Sequence, residues 1–450
     1  MSRSFSRHFQ GHSPRRGLLA RALWVLGAAT QLVIQPIAAA TAAPAAPATP
    51  AATATTVAPA AVFLTLDQAL ARAEAVSGLV RLARAERSVV AARDVGARIA
   101  VPANPVIALG AGPRREESAG TRREGVQYAV HIEQTLEVAN QSGARGSEVA
   151  RAVDVASWRE ELALTETRAR VRAVYIGALL ATAQVQSARS REELAQQLVD
   201  GVQTRVTSGA ASNVDLELAR LEHGRAVRDR NLAELAVAVA LADLRLLLAM
   251  RPGSAVELTS PLLSPEPPKA LETLLGRAHE RRAELRVLEA SQVTLDATVV
   301  RLRREALPNP TLFLDLQRDL PGQIYVGGGI ALPLPTWRRN QGELAVTRAE
   351  HRRLTEEGDV VMREIDAEVE RAYRAVLARA QVATVVSSEV LPAAESGVDL
   401  VTQGWRAGKF DLFRVIQASR EASDARRSQL ETLGALWEAS IAIDRATGTP

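Results

Sequence analysis

The 450-residue chain has no cysteine, and its aromatic residues make up only 3%. Without cysteine there is no disulfide, no thiolate metal site and no lipid carried on an N-terminal cysteine. So few aromatics leave little to fill large globular cores. Histidine is scarce too. His131, His223, His279 and His351 are scattered, and none has a metal-motif spacing such as HExxH. No nucleophile–base–acid grouping stands out, and "VGGG" at 326–329 is not a phosphate-cradling loop. The sequence therefore predicts no enzyme, no cofactor and no resident metal. It also lacks an apolar run long enough for a confident membrane-spanning helix.

The one apolar run of note, Ala22–Ile34, follows five arginines and precedes Ala38-Ala39-Ala40. That order predicts a signal peptide over 1–40, removed at a small-residue site. The formal charge of the whole chain is +4. The leader carries five Arg and no acid, so the rest is near −1, and the high pI does not argue for nucleic-acid binding. Residues 41–60, rich in Ala, Pro and Thr, read as a flexible lead-in.

What the chain does have is Ala, Leu, Val, Arg and Glu in long proline-free stretches. None of its prolines falls between Pro113 and Pro252, and only Pro392 lies between Pro335 and Pro450. Long helices can run in those gaps. The halves also match in order. "ANPVIALGAG" (103–112) parallels "PNPTLFLDLQ" (308–317), Tyr175 parallels Tyr373, and Gly209 parallels Gly408. A near-constant offset across three landmarks indicates a tandem duplication, 61–255 and 256–450. Each unit reads as a helix (64–99; 269–305), two strands, a very long helical stretch (145–206; 341–406), a glycine turn and a last helix (213–249; 411–447). Leu232, Leu235, Val239, Ala242 and Leu246 keep coiled-coil spacing, as do Leu430, Leu433 and Trp437.

The strands, at about 105–112, 126–137, 310–318 and 323–333, are the odd element in a helical chain. Leu312, Leu314 and Leu316 fall at every second place. Val126, Tyr128, Val130 and Ile132 alternate with Gln127, His131 and Glu133, and Ile324, Val326 and Ile330 alternate with small residues. Strands of this length with one apolar face have the pattern of a transmembrane β-barrel. The segment "PRREESAGTRRE" reads as a long charged connection. Four strands cannot close a barrel, and an open edge cannot sit in lipid, so several copies must contribute.

Together these features resemble the TolC family of outer-membrane efflux channels, over nearly the whole chain from Leu64 onward. "LPNPTLFLDL", "IALPLPTWRRNQGELAVTRAE" and "VLPAAESGVDLVTQGWRAGKFDLFRVIQA" carry the resemblance. It is closest to the branch serving cobalt–zinc–cadmium type exporters. The resemblance implies a mainly α fold with a small β part. A homotrimer would close one barrel with four strands per protomer, continued by a long periplasmic α-helical barrel. Residues 250–268 and the chain termini would form a belt round its middle. It implies outer-membrane lipid, a periplasmic membrane-fusion adaptor and an inner-membrane RND pump as partners, and no nucleic acid. The chain would be the passive exit duct of a Gram-negative outer membrane, with most of its mass in the periplasm. Drug or type I secretion ducts of the same family are alternatives. From another class, so is a periplasmic coiled-coil scaffold.

The expected functional positions follow. Gly209 and Gly408 would turn the chain at the periplasmic tip. Where the family often sets pore-narrowing aspartates, this chain has Arg414 and Gln417, with Asp215 and Asp411 nearby. An Arg414 ion pair with Asp215 or Asp411 is the expected closure. Gln127, Glu133, Asp315 and Gln317 would face the barrel lumen.

Overall fold

Long helices and one small sheet account for almost all of the computed structural model, which describes residues 62–118, 120–319 and 323–449. The expected leader and lead-in lie outside the described residues. The first half begins with β1 (Val62–Leu64), α1 (Leu66–Val76) and α2 (Gly78–Ala97). A hairpin of β2 (Val106–Ser118) and β3 (Thr121–Thr135) follows, then α3 (Gln141–Thr207) and α4 (Asn213–Leu247). The second half repeats the order with β4 (Val256–Leu258), α5 (Leu271–Arg281), α6 (Ala283–Glu305), β5 (Thr311–Arg318) and β6 (Ile324–Ala331). It ends with α7 (Gln341–Val385), a π-helical turn (Val386–Val390), α8 (Leu391–Arg406) and α9 (Leu412–Ala446).

Two expectations need correction. The opening helix of each half is not single. It breaks at Ser77 and again at Arg282, both with extended backbone (ψ 130° and 119°). At the first break Ser77 Oγ lies 3.3 Å from Thr167 Oγ. At the second, the Arg282 guanidinium bonds Glu284, Glu368 and the Arg445 carbonyl. Tertiary partners hold both bends, so no proline was needed to mark them.

The charged connection in the first hairpin is strand rather than loop. Arg115 pairs across to Glu124, Glu116 to Arg123 and Glu117 to Arg122. Opposite charges facing across an antiparallel ladder favour pairing, which an apolar pattern cannot reveal. Gly120, at φ +82°, supplies the left-handed turn.

The four strands form one antiparallel sheet in the order β2-β3-β5-β6. The β3–β5 pairing joins the two halves, and the described residues form one compact unit. A second, parallel pairing sets β1 on β4. Buried Tyr175 donates to the Leu64 carbonyl at 2.7 Å, and Trp437 Nε1 donates to the Leu263 carbonyl at 2.8 Å. Residues 250–268 are thus fixed against α3 and α9. α3 has 67 residues, ~100 Å at 1.5 Å each. Among the described residues no helix is long and apolar enough to cross a membrane.

Candidate channel lining and tip

The register assigns every strand residue to a face. Leu312, Leu314 and Leu316 share theirs with Val130 and Ile132 of β3, Ile107 and Leu109 of β2, and Val326 and Ile330 of β6. Most of these side chains are exposed in the single chain. The opposite face carries Gln127, Ala129, His131, Glu133, Thr135, Phe313, Asp315 and Gln317 down the middle of the sheet. Flanking them on that face are Ala108, Gly110 and Gly112 on β2, and Gly327, Gly329 and Ala331 on β6. A Cβ at Gly329 would stand 2.7 Å from the Phe313 ring, and one at Gly327 would strike the Tyr325 hydroxyl. Both glycines therefore make room for an aromatic ring on the polar face.

The four residues expected in the lumen all lie on this polar face, and the structure adds a companion. His131 Nδ1 is 2.7 Å from Asp315 Oδ1, and its Nε2 is 3.5 Å from Glu133 Oε2. Its ring stacks on Phe313 at 6.0 Å. Gln317 donates to Asp319 instead.

Each long helix starts from a corner that the sequence reading passed over. Asn140 and Asn340 are both left-handed, at φ 54° and 58°. In each, the glutamine after it accepts from the backbone N–H two residues back, Gln141 from Ala139 and Gln341 from Arg339. Gln141 also donates to Asn309, tying this corner to the connection between α6 and β5. The repeated Asn-Gln, two hundred positions apart, was the available signal.

At the far end of these helices Gly209 (φ +77°) and Gly408 (φ +71°) make the turns into α4 and α9. Asp215 and Ser212 form a reciprocal cap on α4, and Asp411 accepts from the Arg414 N–H to cap α9. The Arg414 guanidinium lies over the Phe410 ring, 5.4 Å from its centroid, not on either aspartate. Gln417 donates to Glu421. The expected Arg414 ion pair is therefore not formed in this chain, because both carboxylates serve helix N-termini.

Other groups join the two halves here. Arg205 stacks over Trp405 at 4.3 Å and donates to its carbonyl at 2.7 Å. Gly201 leaves space for that indole: a Cβ would come within 2.8 Å. Leu198, Val202, Leu216, Val415 and Ile416 pack around it. Further along, Glu222 is only 3% exposed. It accepts from Arg191 of α3 at 2.7 Å and from Arg420 of α9 at 2.6 Å. Burial pushes the Glu222 carboxyl up, but the two guanidiniums outweigh it and hold it below its usual range. Complementary charges at nearly equivalent places of the duplicated helices α4 and α9 were the signal for this tie. Among the described residues, no group of three His, Asp or Glu is arranged to hold a metal ion.

Residues 274–449 match the model of the outer membrane efflux protein family. Over 302 residues the chain is 28% identical to the cobalt-zinc-cadmium resistance protein CzcC of Cupriavidus metallidurans, covering 63% of this chain and 68% of that protein. The fold is similar to that of CusC, with TM-score 0.66 and 16% identity, over 86% of this chain and 92% of that one. It is similar to the outer membrane protein VceC of Vibrio cholerae, with TM-score 0.64 and 13% identity, over 85% and 96%. The open-state MtrE outer membrane channel of Neisseria gonorrhoeae gives 0.61 and 16%, over 85% and 89%.

Proposed function

We propose that this chain, an outer membrane efflux protein by its family domain and its fold, is the passive exit duct of a tripartite RND-type system for divalent heavy-metal cations. The observation that carries the reading is the sheet: four antiparallel strands, an apolar face outward, a polar face behind it, and two unpaired edges. An even number of alternating strands leaves β2 and β6 running oppositely. A second copy can therefore continue the sheet antiparallel, and three copies close about twelve strands. On α4, Val214, Leu218 and Leu221, and again Leu232, Leu235 and Val239, lie exposed at three- and four-residue steps, with Leu246 a heptad further on. That seam suits a neighbouring copy.

In this reading the leader over 1–40 is cleaved, and repeats 61–255 and 256–450 build one wall of the duct. The barrel sits in the outer membrane and the helices extend through the periplasm. The tip with Gly209, Gly408, Asp215, Asp411, Arg414 and Gln417 meets a membrane-fusion adaptor, which leads to an inner-membrane pump. The resting tip is tied by Glu222–Arg420 and Arg205–Trp405 rather than by Arg414. The metal cargo is favoured by the likeness to a cobalt-zinc-cadmium resistance protein. The test is growth of a strain lacking this protein on graded zinc, cobalt, cadmium, nickel and copper, beside drugs and dyes. Metal sensitivity restored by the gene supports the proposal. Drug sensitivity alone keeps the duct and rejects the cargo.

A further inference from the structure

Cations crossing the membrane segment of such a duct need a reason to prefer it over anions. At the tip, Arg414 and Gln417 bring no negative charge, and the Asp215 and Asp411 carboxylates sit at helix N-termini, whose positive dipole ends offset part of theirs. On the polar face of the sheet, between the levels of Thr135 and Gln127, the charged or protonatable side chains apart from the phenol of Tyr325 are His131, Glu133 and Asp315. Farther out on that face the charges balance: Glu116 faces Arg123, and Arg114 lies 3.9 Å from Asp319.

We propose that His131, Glu133 and Asp315 form the specificity-determining element of the membrane segment, an inward ridge that admits cations and repels anions. The inference rests on the channel reading above. The geometry supports it in three ways. At the His131–Asp315 level the neighbours on either side are Ala108 and Gly327, and all three side chains are 36–42% exposed. His131 bridges the two carboxylates, Asp315 directly across the ladder and Glu133 one level along its own strand, and its ring stacks on Phe313. Each copy carries one net negative charge there when His131 is protonated and two when it is neutral. Repeated round a narrow, low-dielectric wall, that charge concentrates counter-ions without binding them tightly. His131 is thus a positioning residue that also sets the charge of the ridge. The titratable groups facing it are Asp315 from β5 and Glu133 from its own strand. β2 offers Ala108, and the nearest titratable group of β6 is Tyr325.

Single-channel recording of the purified full chain across a potassium chloride gradient tests this. Wild type should show a cation-to-anion permeability ratio several-fold above one. That ratio should rise as the pH climbs through the histidine range. Glu133→Gln with Asp315→Asn should bring the ratio to about one while conductance persists. His131→Ala should flatten the pH dependence, and Glu117→Gln, on the other face of the outer ribbon, should leave the ratio unchanged. If the double variant does not assemble, Asp315→Asn alone is read the same way, with a partial fall expected. An unchanged ratio in channels that conduct overturns the ridge and leaves the duct standing. A wild-type protein that forms no conductance overturns the duct reading and the inference with it.

Discussion

Glu222 shows what single residues do in this chain. It is buried and serves three helices, so replacing it takes the carboxylate from Arg420 and leaves Arg191 with Asp229 alone. Breaking one side of a buried pair costs about 3 kcal/mol, roughly a hundredfold in local opening. Glu222→Gln should therefore raise amide exchange in the facing turns of α4 and α9 by about that factor, with the sheet unaffected. Exchange unchanged there would show that the apolar packing alone holds the tip. The pH sign follows from the lowered carboxyl. The tie contributes fully above the ordinary value of 4.5 and is lost as pH falls through the lower folded value. Pepsin nicking of the tip should begin only below that ordinary value in wild type. Glu222→Gln should be nicked already at its acid edge. At this scale the sequence was least legible. The glycines at 209 and 408 stood out by repetition, but a carboxylate's partners lie on other helices. Arg414 was expected on an aspartate, but its guanidinium lies over Phe410 while both aspartates cap helices.

Among the elements, strand faces and helix continuity matter most. Alternation along 311–317 placed the leucines on one face, and the register joins that face to the apolar residues of the neighbouring strands. Leu314→Arg should cost about 2–4 kcal/mol of barrel stability, whereas Gln317→Arg on the polar face of the same strand should cost little. Heat-modified gel migration of the two variants reads the difference, and equal effects would contradict the assigned faces. The outer ribbon of the first hairpin was misread because its stability comes from charge pairs across the ladder. A second contrast lies between the halves. α3 runs unbroken, but its counterpart carries a π turn at Val386–Val390, just before Pro392. Ser387 and Ser388 both donate to the Thr384 carbonyl there. Such turns loosen the ladder. Amide exchange across 386–391 should run at least about tenfold faster than across 188–193 of α3. Equal rates would mean that neighbouring helices hold the turn rigid. Proline marked this place in the sequence; the extra residue in the turn did not show.

For the molecule as a whole, the duplication was legible because its landmarks keep order: paired strands, a glycine turn and a tyrosine in each half. The fold follows from it, with β3 and β5 joining the halves into one sheet. The sequence could say that four strands leave edges; it could not say which strands hold them. The structure puts them at β2 and β6, on opposite sides, where copies can add in only one sense. The central claim is thus a trimer in the outer membrane. Native mass spectrometry of the full-length gene product, extracted in detergent from separated membrane fractions, tests it most directly. The account predicts three leaderless chains per particle, found in the outer-membrane fraction and absent from the soluble one. A single chain recovered from the soluble periplasm would contradict it.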